Sequence, residues 1–150
     1  MEQKSSLATD NNSLQISESA EAYLKETSGW SQFLSILGFI FIGLLVVGGV
    51  GLSLFLSVAN DGEELLPMSG MTVVVLYLLL GLIYFFPILY LYRFATNMKK
   101  ALEKKDNDNL DEAFKNIKSH YKFMGIFTII FIAIYILGAI GMAIFGSFML

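Results

Sequence analysis

Three long stretches of the chain contain no Asp, Glu, Lys, Arg or His: Phe33 to Ser57, Met71 to Tyr92 and Phe123 to Leu150. No other feature limits the fold as severely. Each stretch exceeds the roughly 20 residues that an α-helix needs to cross a hydrocarbon core about 30 Å thick. In the first, 17 of 25 residues are Leu, Ile, Val or Phe, and the rest are Gly and Ser. At about −0.3 to −0.6 kcal/mol each, those side chains favour insertion by roughly 5 to 10 kcal/mol. A soluble protein of 150 residues has too little remaining chain to cover three such rods. The expected fold is all-α, an integral membrane bundle of three transmembrane helices at about 33–57, 71–92 and 123–149, within a membrane domain of 33–150.

The charged residues are confined to the segments between these stretches, and their signs set an expected orientation. The tail before Phe33 carries two basic residues, Lys4 and Lys25. The connection from Val58 to Gly70 has none and holds Asp61, Glu63 and Glu64. The connection from Arg93 to Lys122 has the other eight of the ten. Basic loops stay in the cytoplasm. The long connection and the N-terminus are therefore expected inside, and the acidic connection and the C-terminus outside. Trp30, Tyr90, Tyr92 and Tyr121 fall at the same expected face, as an interfacial aromatic belt requires. The first stretch lacks a basic start and a small-residue cleavage pattern, so it reads as a retained anchor rather than a signal peptide.

The flanking segments are polar in different ways. Residues 1–16 are rich in Ser, Asn and Gln and read as a disordered polar tail. Residues 17–32 read as an interfacial helix, with Ala20, Tyr23, Leu24 and Thr27 at helical spacing and Gly29 as a candidate break. Asn60-Asp61-Gly62 and Pro67 mark the outer turn. Over about 93–122 the spacing of Phe94, Met98, Ala101 and Leu102, then of Leu110, Ala113, Phe114, Ile117 and Tyr121, predicts a cytoplasmic helical hairpin between the second and third spans. Asp106-Asn107-Asp108-Asn109 turns the chain there, with Asn109 and Glu112 as the expected cap of the returning helix.

Candidate chemistry is sparse. The acidic run from Asp106 to Glu112 fails as a calcium loop, since Leu110 takes a ligand position and Asp111 replaces the obligatory Gly. His120 has no second His and no Cys to share a metal, and it reads as a solvated interfacial side chain. Pro87 predicts a kink near Ile83 to Pro87. Gly49, Ser53 and Ser57 recur every fourth residue, as do Ala139, Ala143 and Ser147, and such stripes let helices approach closely. Offset by 90, the first and third spans share nine identities, among them Phe33/Phe123, Ile42/Ile132 and Gly48/Gly138. Convergence of two apolar helices is the simpler account. No ionisable residue lies within the spans, although proton relays and ion-coupled carriers need them there.

The run Tyr84-Phe85-Phe86-Pro87, then Tyr90-Leu91-Tyr92-Arg93-Phe94, resembles a small bacterial membrane-protein family of unknown function. Ala113-Phe114 and Tyr121 through Ile126 fit the same pattern, and the resemblance spans roughly Leu24 to Gly141. It implies a multi-pass protein of the bacterial inner membrane and supplies no activity. The expectation is a non-enzymatic membrane protein with no catalytic, cofactor-binding or metal-ligating residue and no cofactor. Its expected partners are the lipid bilayer, a second copy or other membrane proteins, and not nucleic acid, given the net charge of −3. It is expected to act as a packing module or accessory subunit. The alternative is a pore or carrier subunit lined by backbone carbonyls near Pro87 and by tyrosine hydroxyls.

Overall fold

The computed structural model describes residues 16–59 and 69–148. The polar tail before Ile16 and the acidic bend with Asn60-Asp61-Gly62 and Pro67 lie outside the described residues. Three helices make up the rest: α1 (Glu18–Ala59), α2 (Gly70–Lys104) and α3 (Asn107–Phe148). Each is long and apolar enough to cross a membrane. At 1.5 Å per residue α1 and α3 are about 63 Å long, so each also reaches well beyond a hydrocarbon core. Gly29 does not break α1, which runs from the 17–32 segment into the apolar stretch without interruption. Pro87 is likewise held inside a continuous α2.

The architecture is a row with α2 in the middle. It packs against α1 on one side and α3 on the other, and the two outer helices have no close backbone approach to each other. Along α1 the packed face follows Ser28, Ser35, Ile42, Gly49 and Leu56, each seven residues from the next and each buried or half-buried. Along α2 it follows Val73, Leu80, Pro87, Phe94 and Ala101 at the same spacing. A seven-residue repeat keeps one seam of a helix facing its partner, as in a left-handed coiled coil.

Small residues make that seam tight. A methyl group on Gly49 would lie 2.5 Å from Cβ of Tyr77, and one on Gly38 would lie 2.8 Å from Cδ1 of Ile88. At the far end Gly70 sits against Ser53 and Ser57. The first small-residue stripe is therefore used within the chain, against α2. Two buried serines extend the seam at the polar end without leaving hydroxyls unpaired. Ser28 Oγ donates to the Lys25 carbonyl at 2.7 Å, and Ser35 Oγ to that of Gln32 at 2.8 Å. Such back-bonding to the helix's own carbonyls satisfies a hydroxyl in an apolar contact.

The core sits at the polar end of the bundle. Phe94 and Met98 of α2 enclose Ala113 of α3, and Leu24, Leu91, Leu102, Leu110 and Ile117 close around them. All three helices contribute to it, and Leu24 ties the start of α1 to the other two. The packed face of α3 is rotated from the expected one. Phe114 and Tyr121 are exposed, and Asn116 and His120 turn towards α2 in their place. Asn116 is buried and donates Nδ2 to the Glu112 carbonyl at 2.7 Å.

Farther along, α3 is bare. Nothing in its most apolar window is buried, and Ile129 to Ala139 is exposed on every side. The resemblance between the first and third spans does not extend to packing: Ile42 and Gly49 face α2, whereas their counterparts Ile132 and Ala139 are exposed.

Candidate functional site

The structure gathers its polar contacts where α2 turns into α3. Only Lys105 and Asp106 separate the helices. Lys105 adopts the left-handed conformation (φ 51°, ψ 45°), and its N–H donates to the Ala101 carbonyl. The Asp106 N–H reaches the same carbonyl at 3.1 Å. This is the usual way to end an α-helix, except that glycine normally occupies the left-handed position.

Asp106, rather than Asn109, caps α3. Its Oδ1 accepts the Asp108 N–H at 2.9 Å, and its Oδ2 accepts Asn109 Nδ2 at 2.6 Å. The Asn109 amide, and after it the Asp108 N–H, hold the Asp106 carboxyl below the ordinary carboxylate range. Glu112 does not reach back to the cap. It pairs with Lys115 at 3.1 Å and receives Asn116 Nδ2 at 3.3 Å. The cap sits three residues earlier than expected because the turn needs two residues rather than four.

Two grooves open beside this turn. One, of about 400 Å³, has an apolar floor of Ile16, Leu102 and Leu110 beneath Glu21, Lys105 and Asp106. The other, of about 280 Å³, runs between Glu21, Lys25, Lys99 and Glu103. Their charges are mixed and set no preference for an anion or a cation. Nearby, Lys99 Nζ donates to Gln32 Oε1 and joins α2 to α1. Among the described residues no three His, Asp or Glu side chains come together in a group that could hold a metal ion.

A polar contact between α2 and α3 deeper in the bundle involves His120. It is half-buried, and its Nδ1 lies 2.8 Å from the carbonyl oxygen of Pro87, to which it donates. The expected solvated histidine is therefore a clamp between α2 and α3. It also engages one of the carbonyls near the proline that a backbone-lined pore would need. The signal in the sequence was positional: His120 follows Ala113 and Asn116 at helical spacing, on the same face.

These contacts fix how the helices align along the bundle. Gly38 meets Ile88 and Gly49 meets Tyr77, which sets Phe33 level with about Arg93. His120 meets Pro87, and Tyr84 meets Phe127 with ring centroids 6.2 Å apart. Phe123 is thus level with about Phe86. The charge-free runs of α1 and α2 end at one level, and that of α3 begins about six residues deeper, or about 9 Å. Trp30 and Tyr121 accordingly do not share a level.

Three helices of crossing length, aligned on a central one, with the second and third joined at their polar end by a two-residue turn, define a small helical membrane protein. Residues 67–143, just over half of the 150, match the family of unknown function DUF5362, and the chain belongs to that family. The matched stretch takes in α2 and most of α3, including the Tyr84–Pro87 and Tyr121–Ile126 runs, and leaves α1 outside. Comparison with curated proteins and with solved structures gives no match.

Proposed function

We propose that this is a non-enzymatic, multi-pass protein of the bacterial inner membrane that serves as an accessory subunit or packing module for another membrane protein or a second copy of itself. The observation that carries the reading is the bare length of α3. Ala139 and Ala143 lie on its stripe of small residues and are exposed, whereas the matching stripe of α1 is taken up by α2. Helices associate in lipid by close packing at such small residues. The eight basic residues of the 93–122 connection support a cytoplasmic turn between α2 and α3, with the N-terminus inside and the C-terminus outside. Residues 17–32 then extend α1 along the cytoplasmic end of the bundle.

The chain has no cysteine, so single cysteines at Ala139 and Ala143 report on that face alone. In native membranes, oxidative or short-linker crosslinking is expected to trap a partner from these positions and not from Gly49→Cys. A protein that stays monomeric and uncrosslinked at both positions refutes the reading. Extraction of the chain from membranes by alkaline carbonate would refute its bilayer-spanning premise.

A further inference from the structure

We infer that Lys118 and Lys122 form a binding site for the phosphate of an anionic phospholipid on the lipid-facing side of α3. The inference rests on the bilayer-spanning reading above. The alignment of the helices supplies the argument. Phe33 and Arg93 mark one level at which two of the three apolar runs end, and Lys118 and Lys122 lie below it, at about the levels of Leu91 and Pro87. At 1.5 Å per residue these depths are about 3 Å and 9 Å. Both lysines are exposed, so they face away from α2. Among the described residues neither forms an ion pair, and the one salt bridge joins Lys115 to Glu112 nearer the turn.

An ammonium cannot rest in hydrocarbon at that depth, and a lysine escapes by extending its stem towards the headgroups. Helical side chains lean towards the helix N-terminus. For α3 that direction points back to the polar end. Lys122 therefore extends along the helix surface towards Lys118, one turn above it. Lys118 leans the same way, so the two ammonium groups stay about one helical turn apart, a spacing at which like charges repel. An anion placed between them removes the repulsion. The anion available at that depth is a lipid phosphate, drawn slightly inward, with the acyl chains lying along the bare stretch of α3 beginning near Ile126.

The test uses the full chain with its one tryptophan moved into the site, by Trp30→Phe together with Tyr121→Trp. The protein is reconstituted in phosphatidylcholine vesicles containing a minor fraction of acyl-brominated phosphatidylglycerol or, in parallel, acyl-brominated phosphatidylcholine. Quenching by the anionic lipid is expected to exceed that by the zwitterionic one, with a local enrichment on the order of ten-fold that falls as salt is raised. Lys118→Gln with Lys122→Gln is expected to abolish the preference. Lys100→Gln with Lys104→Gln removes equal charge elsewhere and is expected to leave it intact, as is Lys118→Arg with Lys122→Arg. Equal quenching by the two lipids overturns the site, as does a preference that survives the double glutamine change. Loss of the preference in millimolar glycerol phosphate assigns the site to a soluble phosphate and overturns the lipid assignment. Absence of quenching by either lipid shows that position 121 is not in the membrane, which overturns the bilayer reading as well.

Discussion

Adding one methyl group at Gly49 tests the central packing of the molecule. In the structure that methyl would lie 2.5 Å from Cβ, 2.6 Å from Cγ and 2.9 Å from Cδ1 of Tyr77. Ordinary contact between carbon atoms begins near 3.5 Å, so about 1 Å of overlap must be relieved. Cβ is fixed to the backbone, and no rotamer of Tyr77 removes the clash. The seam between α1 and α2 must open instead. A gap of 0.5 to 1 Å forfeits about a quarter to a half of each contact's attraction, and overpacking of this kind costs about 1 to 3 kcal/mol. At Gly48, one residue away, an added methyl meets nothing within 4 Å. Gly48→Ala gains the helix propensity of alanine, up to about 1 kcal/mol. Gly49→Ala gains the same propensity, so it is expected to be less stable than Gly48→Ala by the overpacking cost alone, about 1 to 3 kcal/mol, with composition and lipid environment held equal.

The assay is reversible separation of the helices by SDS in mixed micelles. Energy transfer from Trp30 on α1 to a label on a cysteine at the exposed Lys100 of α2 follows the separation. In a Tyr77→Gly background, which removes Cβ along with the ring, the difference between the two glycine variants should largely vanish, as a double-mutant cycle requires of residues in direct contact. Equal stability of Gly48→Ala and Gly49→Ala would refute the seam, as would a difference that persists without Tyr77.

Three other changes probe the polar end and the clamp. Lys105→Gly relieves a left-handed lysine and should stabilise the turn by about 1 kcal/mol, read in the same SDS titration. His120→Ala removes the donor to Pro87 and should destabilise the pairing of α2 with α3 by about 1 kcal/mol; unchanged amide exchange around Pro87 and Leu91 would show that the clamp carries no load. The Asp106 carboxyl, held low by Asn109 and Asp108, contributes a stability that is complete above its unfolded-state pKa. That contribution is lost as pH falls through the lower folded value. Carboxyl NMR should show Asp106 titrating below the ordinary carboxylate range, and Asn109→Ala should raise its midpoint towards that range.

The three apolar rods were legible because charge is absent from them for more than 20 residues at a time, a signal that needs no packing knowledge. The bend between α2 and α3 was legible from Asp106 and its neighbours, although reading all four residues from Asp106 to Asn109 as turn put the cap at Asn109. The packed faces were harder to see. In α1 almost every residue after Phe33 is apolar, so no hydrophobic stripe distinguishes the side facing α2. The usable trace was small residues at seven-residue spacing, Ser28, Ser35 and Gly49, and the four-residue stripe at Gly49, Ser53 and Ser57 captured only its end. His120 was misread for a related reason. Its charged neighbours Lys118 and Lys122 suggest solvent, but they lie on the opposite side of the helix. The family resemblance pointed to a group without assigned activity and carried no residue roles.

The two-residue turn also limits how this molecule can move. With no slack between α2 and α3, neither can slide lengthwise past the other, because a piston stroke of one helical pitch needs about 5.4 Å of spare chain. What remains is a tweezer-like swing about Lys105 and Asp106, in which displacement grows with distance from the pivot. A tilt of about 10° leaves the buried Ala113 nearly in place and carries the far tip of α3, about 60 Å away, through roughly 10 Å. Whatever docks along that outer arm meets the part of the protein with the greatest lever length and the least internal restraint.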